Sequence, residues 1–190
     1  MNEQAIYIAP LGQPQSAELI LGIAVQVLYN LGGNRLPPPH EITGRAQQNQ
    51  HLRALFWLCF GMDSEFSIRK RQPPLINPAD CDLDLPASYA VKPSENHFYW
   101  KPLSAKELLY PSDLRLNLIK SRIYRLLYSP QSQSLSEASR LQHIRELDAE
   151  LSSLRMEYPV ECRPDAFATE STPDYLLHDL SIRGVSIHLE

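Results

Sequence analysis

The sequence lacks most of the patterns that mark an enzyme, a metal site or a membrane protein. Its 190 residues include only seven glycines and three cysteines. There is no glycine-rich phosphate loop, no Cys-x-x-Cys pair, no Gly-x-Ser-x-Gly motif and no zincin-type histidine pair. No apolar run reaches the roughly 18 residues of a membrane span, and the N-terminus lacks the regions of a signal peptide. We therefore expect no catalytic residue, no metal ligand and no membrane partner.

Charge and cysteine usage narrow the class further. The net charge is −4, which argues against a nucleic-acid surface formed by this chain alone. Cys59, Cys81 and Cys162 are odd in number and far apart, which fits a reducing intracellular compartment. Apolar residues make up 43% of the chain, as in a soluble globular protein, and its length predicts one domain over residues 1–190.

Helical periodicity predicts an all-α fold, an irregular bundle without strands or internal repeats. The predicted helices cover about 16–31, 43–68, 112–128, 134–156 and the residues after Thr172-Pro173. Glycines 32 and 33 predict the stop of the first, and Ser134 with Glu137 a capping box before the fourth. The predicted inward faces are Ile20, Ala24, Val27, Leu28 and Leu31 on the first helix, widened by Leu19, Leu21, Ile23 and Val25; Leu52, Leu55, Phe56, Cys59, Met62 and Phe66 on the second; Leu116, Ile119, Ile123, Leu126 and Leu127 on the third; and Leu141, Ile144, Leu147, Leu151 and Leu154 on the fourth.

A proline-rich connection between the second and third long helices is the most unusual feature. It follows the basic cluster Arg69-Lys70-Arg71, opens with "QPPLINPADCDLDLP" and continues to about Pro102. We call residues 72–102 the strap. A rigid linker, a metal loop and a charged interaction site are the three interpretations. A calcium loop starting at Asp80 would need Gly and Glu where Leu85 and Val91 stand, which argues against the metal loop. The basic cluster is better explained by the helix dipole than by phosphate binding.

The segment "LRALFWLCFGMDSEFSIRKRQPPLINPADCDLDLP", residues 52–86, resembles the signature of the fungal-specific transcription factor domain. This domain is the middle homology, or regulatory, region of fungal zinc-cluster transcription factors. The likeness extends over about residues 19–189. The positions that match the family pattern, expected to be mainly structural, are Arg53, Phe56, Trp57, Asp63, Ser67, Pro73, Pro74, Asp80, Asp82, Asp84 and Pro86.

The chain departs from this pattern at three places. Arg71-Gln72 replaces the family's Gly-Arg, which leaves open whether its positive-φ turn is kept, and Gly33-Asn34 stands where leucine and histidine are usual. The six cysteines of the DNA-binding zinc cluster are also missing. Any zinc, and any DNA contact, is therefore expected only in the cluster of a longer parent protein. What remains looks like part of a regulatory domain.

The resemblance implies a nuclear protein whose regulatory domain controls transcriptional activation, in some members through a small-molecule inducer. The alternative is a stand-alone helical domain that binds, or acts on, a small apolar ligand. The residues themselves add two expectations. Asp63 should be partly buried and paired with a cation. The chain should form a homodimer through its last helix and the seam of Leu141, Ile144, Leu151 and Leu154, although an internal role for that seam is about equally plausible.

Overall fold

The computed structural model describes residues 14–36, 42–86, 89 and 113–157. Every regular element within these ranges is helical, which confirms the predicted all-α bundle. In chain order the elements are α1 (Pro14–Asn30), α2 (Ile42–Lys70), a 3₁₀ turn (Pro78–Asp80), α3 (Leu114–Ile123), a π-helical turn (Tyr124–Tyr128), α4 (Pro130–Gln133) and α5 (Glu137–Glu157). The predicted helix after Thr172 lies outside the described residues. No helix of the described part is long and apolar enough to cross a lipid bilayer.

Helix α1 buries only part of the face that its sequence predicted, because Ala24 and Leu28 are buried but other members of the stripe are not. Val27 and Leu31 of the predicted stripe are exposed, and Ile20 is only half-buried. The prediction failed because apolar residues occupy almost every position of this helix, so that periodicity could not select a face. The buried side chains are Ala17, Leu21, Ala24, Val25 and Leu28.

Helix α1 ends just before Gly32 and Gly33, as the sequence predicted. Gly32 has a φ of 72°, a conformation that glycine adopts without strain. The Gly33 N–H donates to the Leu28 carbonyl at 2.9 Å, and the Gly32 N–H donates to the Tyr29 carbonyl at 3.0 Å. This pair of bonds is a Schellman motif, which satisfies the last carbonyls of the helix and turns the chain sharply towards α2.

Helix α2 contributes most of the aromatic core. Phe56, Trp57 and Phe60 are almost fully buried, with Trp57 edge-on to both phenylalanines at centroid distances of 5.4 and 5.7 Å. The predicted stripe correctly included Phe56 and Cys59 but was wrong at Leu55, which is exposed. This helix is buried over a wide arc, so its inward face is broader than a single stripe. Its partners are α1, the strap, Tyr89 and Leu114.

A second, smaller core lies where α5 packs on α3 and the π-helical turn. Its buried members are Leu116 and Ile119 from α3 with Leu147 and Leu154 from α5. The predicted seam of α5 therefore divides into two parts: Leu147, Leu151 and Leu154 belong to this core, whereas Leu141 and Ile144 are exposed. The cap of α5 is Ser136 rather than Ser134, since the Ser139 N–H donates to the Ser136 hydroxyl at 3.1 Å.

Candidate functional site: the clasped strap

The strap begins against the carboxylate of Asp63. Both carboxylate oxygens accept backbone N–H groups, one from Leu75 at 2.9 Å and one from Ile76 at 2.8 Å. Asp63 is only 4% exposed, so its predicted burial is confirmed, but the predicted cation partner is wrong. Two backbone N–H groups occupy the place of that cation. Because each oxygen holds one of two successive N–H groups, Asp63 fixes the direction of the strap as it leaves α2.

Burial dominates the electrostatics of this carboxylate. Desolvation raises the pKa of Asp63 above its ordinary value of 3.8, and the two N–H donors from the strap partly oppose that rise. The folded protein therefore retains a proton at Asp63 at pH values where the unfolded chain has lost it. This carboxyl therefore accepts hydrogen bonds that hold the strap, while its burial makes its ionised form unfavourable.

Arg53 forms a second clasp, about three turns earlier on α2. Its guanidinium donates to the carbonyl of Gly33 at 3.2 Å and to the carbonyl of Asp82 at 2.7 Å. The same group lies over the Phe56 ring, 4.6 Å from the centroid. One buried arginine thus joins the loop after α1 to the aspartate stretch of the strap.

Asn34 completes this second clasp from the side of α1. Its side-chain amide donates to the backbone carbonyl of Asp80 at 2.7 Å, and its backbone carbonyl accepts the Asp82 N–H at 2.9 Å. The Asp82 carboxylate then accepts the Leu36 N–H at 2.7 Å. The sequence marked Asn34 only as a departure from the family pattern, yet its buried amide is one of the closest links between the strap and α1.

The three spaced aspartates of the strap point in different directions. Asp82 caps Leu36, the Asp80 carboxylate accepts from the Asn77 amide at 2.8 Å, and Asp84 is exposed. No group of three or more His, Cys, Asp or Glu side chains with the spacing of a metal site occurs in the described ranges. The alternating aspartates are thus used mainly for loop geometry.

Apolar anchors hold the strap between and beyond its polar clasps. Leu83 and Leu85 pack against the larger core, and Ile76 is fully buried there. Tyr89 is also fully buried, and its hydroxyl donates to the Asp113 carboxylate at 3.0 Å and accepts the Leu114 N–H at 2.8 Å. Neither Ile76 nor Tyr89 was predicted, since each is an isolated residue without periodic neighbours.

The prolines and Ser67 lie at the ends of this arrangement. Pro73 is exposed, Pro74 and Pro86 are half-buried, and the Pro86 carbonyl accepts the Tyr89 N–H at 2.8 Å. Ser67 is buried, and its hydroxyl donates to the Asp63 carbonyl one turn earlier at 2.8 Å. These residues shape the backbone around the clasps.

The positive-φ turn after α2 is present although its glycine is replaced. Arg71 has a φ of 54°, which is uncommon for a residue with a side chain. The Gln72 N–H donates to the Ser67 carbonyl and the Arg71 N–H donates to the Ile68 carbonyl, which forms a second Schellman motif. Arg71 thus occupies the position at which the family pattern has glycine, and its guanidinium lies 5.6 Å from the Tyr128 ring centroid.

A groove of about 700 Å³ runs between α1 and the start of the strap. Leu19, Gly22 and Ile23 line one wall, and Pro73 with Leu75 lines the other. Asp63 and Ser67 supply polar groups to this groove. Mostly apolar walls with a few polar groups are typical of sites for small molecules.

A smaller recess of about 540 Å³ lies at the other end of α1, beside Tyr29 and Asn77. The Tyr29 hydroxyl lies 3.8 Å from the Cys81 sulfur, and burial raises the pKa of both groups. Cys81 is therefore held as a thiol, which makes it a poor nucleophile.

Comparison with known proteins identifies the family of this chain. The family described as "Fungal specific transcription factor domain" matches residues 4–155, which is most of the chain. The chain belongs to this family. In this member of the family, Asp63 and Arg53 form the clasps of the strap, and Arg71 holds the positive-φ turn.

Two curated relatives carry the same name. An "ABC-transporter-regulating transcription factor" of Aspergillus fumigatus is 25% identical over 177 residues, and one of Aspergillus oryzae is 24% identical over the same length. In both comparisons the match covers 92% of this chain but 19% of the relative, so the chain spans about a fifth of their length. No solved structure matches the chain.

Proposed function

We propose that this domain controls the transcriptional activation exerted by a fungal zinc-cluster factor, and that it acts in the nucleus without catalysing a reaction. Membership of the fungal-specific transcription factor domain family carries this proposal. The names of the two relatives also support a role in transcription. Those names suggest genes of ABC transporters as the first targets to test.

DNA binding and zinc belong, in this proposal, to a cluster outside this chain. The cysteines of this chain are too few for a two-zinc cluster, and the net charge of −4 gives it no electrostatic attraction to DNA. We expect the 190-residue chain to bind no specific DNA sequence at physiological salt. A tight, salt-sensitive complex in a mobility-shift titration would contradict this expectation.

A small apolar inducer is the effector that the groove would accept. The groove has the volume and apolar lining of a small-molecule site, and Leu75 of its wall is bonded through its N–H to Asp63. A ligand wedged between α1 and Leu75 would therefore press on the part of the strap that Asp63 fixes. Such a contact would couple ligand binding to the position of the strap.

The experiment is a three-part fusion. The chain is placed between a heterologous DNA-binding domain and a constitutive activation domain, and a reporter gene is measured with and without apolar compounds. We expect the inserted chain to change the reporter output relative to a fusion without it, and Gly22→Trp, which fills the groove, to remove any response to compounds. Equal output with and without the chain, at equal protein levels, would contradict the regulatory role.

The alternative function, a stand-alone helical domain that binds a small apolar ligand, is supported by the same groove. The two proposals differ in the fusion experiment. A stand-alone binder would take up apolar compounds, which titration calorimetry detects, and would leave the reporter unchanged. A regulatory domain would change the reporter whether or not a compound binds.

A further inference from the structure

The groove between α1 and the start of the strap contains a carboxylate with no cation beside it. Asp63 is 4% exposed and lines the groove. Its hydrogen-bond donors are the N–H groups of Leu75 and Ile76, which carry no net charge. Among the described residues, no lysine, arginine or histidine forms an ion pair with Asp63 or lines the groove. A buried carboxylate without a cation is costly to ionise, so a ligand that supplies a cation would relieve that cost.

One of the two carboxylate oxygens of Asp63 lies on the groove side. The bond from the Leu75 N–H to Oδ1 is only partly buried, whereas the bond from the Ile76 N–H to Oδ2 is buried. Leu75 also lines the groove, and Ile76 lies in the larger core. A carboxylate oxygen can accept two hydrogen bonds, and Oδ1 accepts one from the strap. Oδ1 therefore keeps one acceptor site on the side of the groove.

The other charged side chain that lines the groove is already neutralised. Glu18 forms an ion pair with Lys70 of α2, so neither group is available to a ligand. The remaining polar groups of the lining are the uncharged side chains of Gln26, Ser67 and Gln72. All other lining residues are apolar or glycine. The uncompensated charge of the groove is thus negative, which favours a cationic ligand and disfavours an anionic one.

We infer that the groove binds an apolar molecule that carries a protonated amine, and that its ammonium group donates to Oδ1 of Asp63. The apolar part of the molecule lies between Leu19 and Ile23 of α1 on one side and Leu75 of the strap on the other. The walls thus match the body of the ligand, and the carboxylate matches its charge. This inference names the chemical class of the inducer, so it rests on the proposed function of the groove.

The ammonium group would also tighten the clasp between Asp63 and the strap. Desolvation raises the pKa of Asp63, and a cation beside the carboxylate opposes that rise. An ionised carboxylate is a stronger hydrogen-bond acceptor than a neutral carboxyl. The N–H groups of Leu75 and Ile76 are therefore held more firmly when the amine is bound. A neutral apolar ligand would contact the walls of the groove without this effect on the clasp.

Three probes with the same hydrocarbon frame test the inference on the full 190-residue chain. They are 1-aminoadamantane, 1-adamantanol and adamantane-1-carboxylate, which at neutral pH are cationic, neutral and anionic. Titration calorimetry measures the dissociation constant of each. We expect the amine to bind about tenfold more tightly than the alcohol, because its hydrogen bond to the carboxylate is charge-assisted. The carboxylate probe should bind most weakly, since it meets a second anion in the groove.

A matched pair of substitutions assigns the preference for the amine to Asp63. Asp63→Asn should bring the amine and the alcohol to nearly equal affinity. Asp84→Asn makes the same change of charge at an exposed position of the strap and should keep the tenfold difference. In the wild type, the amine should slow hydrogen exchange at the N–H groups of Leu75 and Ile76 more than the alcohol does. This last measurement needs no variant, so it decides even if Asp63→Asn does not fold.

Four results would overturn the inference. They are no binding of the amine at millimolar concentration, an alcohol that binds as tightly as the amine, a preference for the amine that Asp63→Asn leaves intact, and a preference that Asp84→Asn also removes. The last result would assign the preference to the net charge of the chain. The reporter fusion tests the regulatory role separately. Selective binding of the amine without any change in reporter output would contradict the regulatory role and leave this inference standing.

Discussion

Replacing Asp63 by alanine removes the acceptor for two N–H groups of the strap. The Ile76 N–H is buried, so in the variant it has no acceptor and no water. The Leu75 N–H is partly exposed and can bond to water instead. The perturbation is local to the start of the strap, because neither N–H belongs to a helix.

The expected cost follows from these two environments. An unsatisfied buried donor costs about 1–3 kcal/mol, and the partly exposed one costs about 0.5–1.5 kcal/mol, since it recovers a bond to water. Removing the carboxylate also removes the unfavourable free energy of burying it, so the total cost lies towards the lower end of the summed range. We expect Asp63→Ala to lower the free energy of unfolding by about 1.5–3 kcal/mol. Asp63→Asn should cost about half as much, because its amide oxygen can still accept one of the two N–H groups.

Urea unfolding followed by far-UV circular dichroism measures the difference. Asp84→Ala is the matched control: it removes the same side chain from an exposed position of the strap, and we expect a change below about 0.5 kcal/mol. If Asp63→Ala cost no more than Asp84→Ala, the Asp63 carboxylate would not hold the strap. The reasoning about backbone donors would then be wrong.

Three further predictions concern pH, the second clasp and the helix contacts. The wild type should be more stable than Asp63→Asn by the largest margin below pH 3.8, and this margin should shrink as the pH rises through the folded-state pKa of Asp63, because that pKa is raised. A margin that does not vary across the acidic range would contradict this prediction. Arg53→Lys should cost about 1–3 kcal/mol in urea unfolding, since a lysine cannot reach both carbonyls as the planar guanidinium does, whereas Arg35→Lys on the surface should change little. Gly61→Ala should destabilise by about 1–3 kcal/mol, because its Cβ would lie 2.7 Å from the amide nitrogen of the buried Asn117. Gly22→Ala, whose Cβ would meet only Leu75 at 4.0 Å, should stabilise α1 by about 0.5–1 kcal/mol, and equal effects of the two alanines would refute this reading of the helix contacts.

Local chemistry was sufficient to predict where α1 and α2 end, but not where α5 begins, since its cap is Ser136 and not Ser134. Gly32 and the prolines of the strap impose backbone conformations that act within a few residues, so the stops of α1 and α2 could be predicted to within two residues. The faces of the helices could not be predicted equally well. In α1 the apolar residues are spread around the helix, and in α2 polar residues such as Asp63 and Ser67 are buried with the aromatic ones.

The positions that match the family pattern could be identified in the sequence, but their hydrogen-bond partners could not. Arg53 and Asp63 both bind backbone groups, and a backbone N–H or carbonyl leaves no mark in the sequence. A buried aspartate therefore suggested a cation, the partner that is visible in a sequence. The turn at Arg71 was unpredictable for the same reason. The family pattern has glycine there, whereas in this chain the turn is held by the backbone hydrogen bonds of the Schellman motif that includes Arg71.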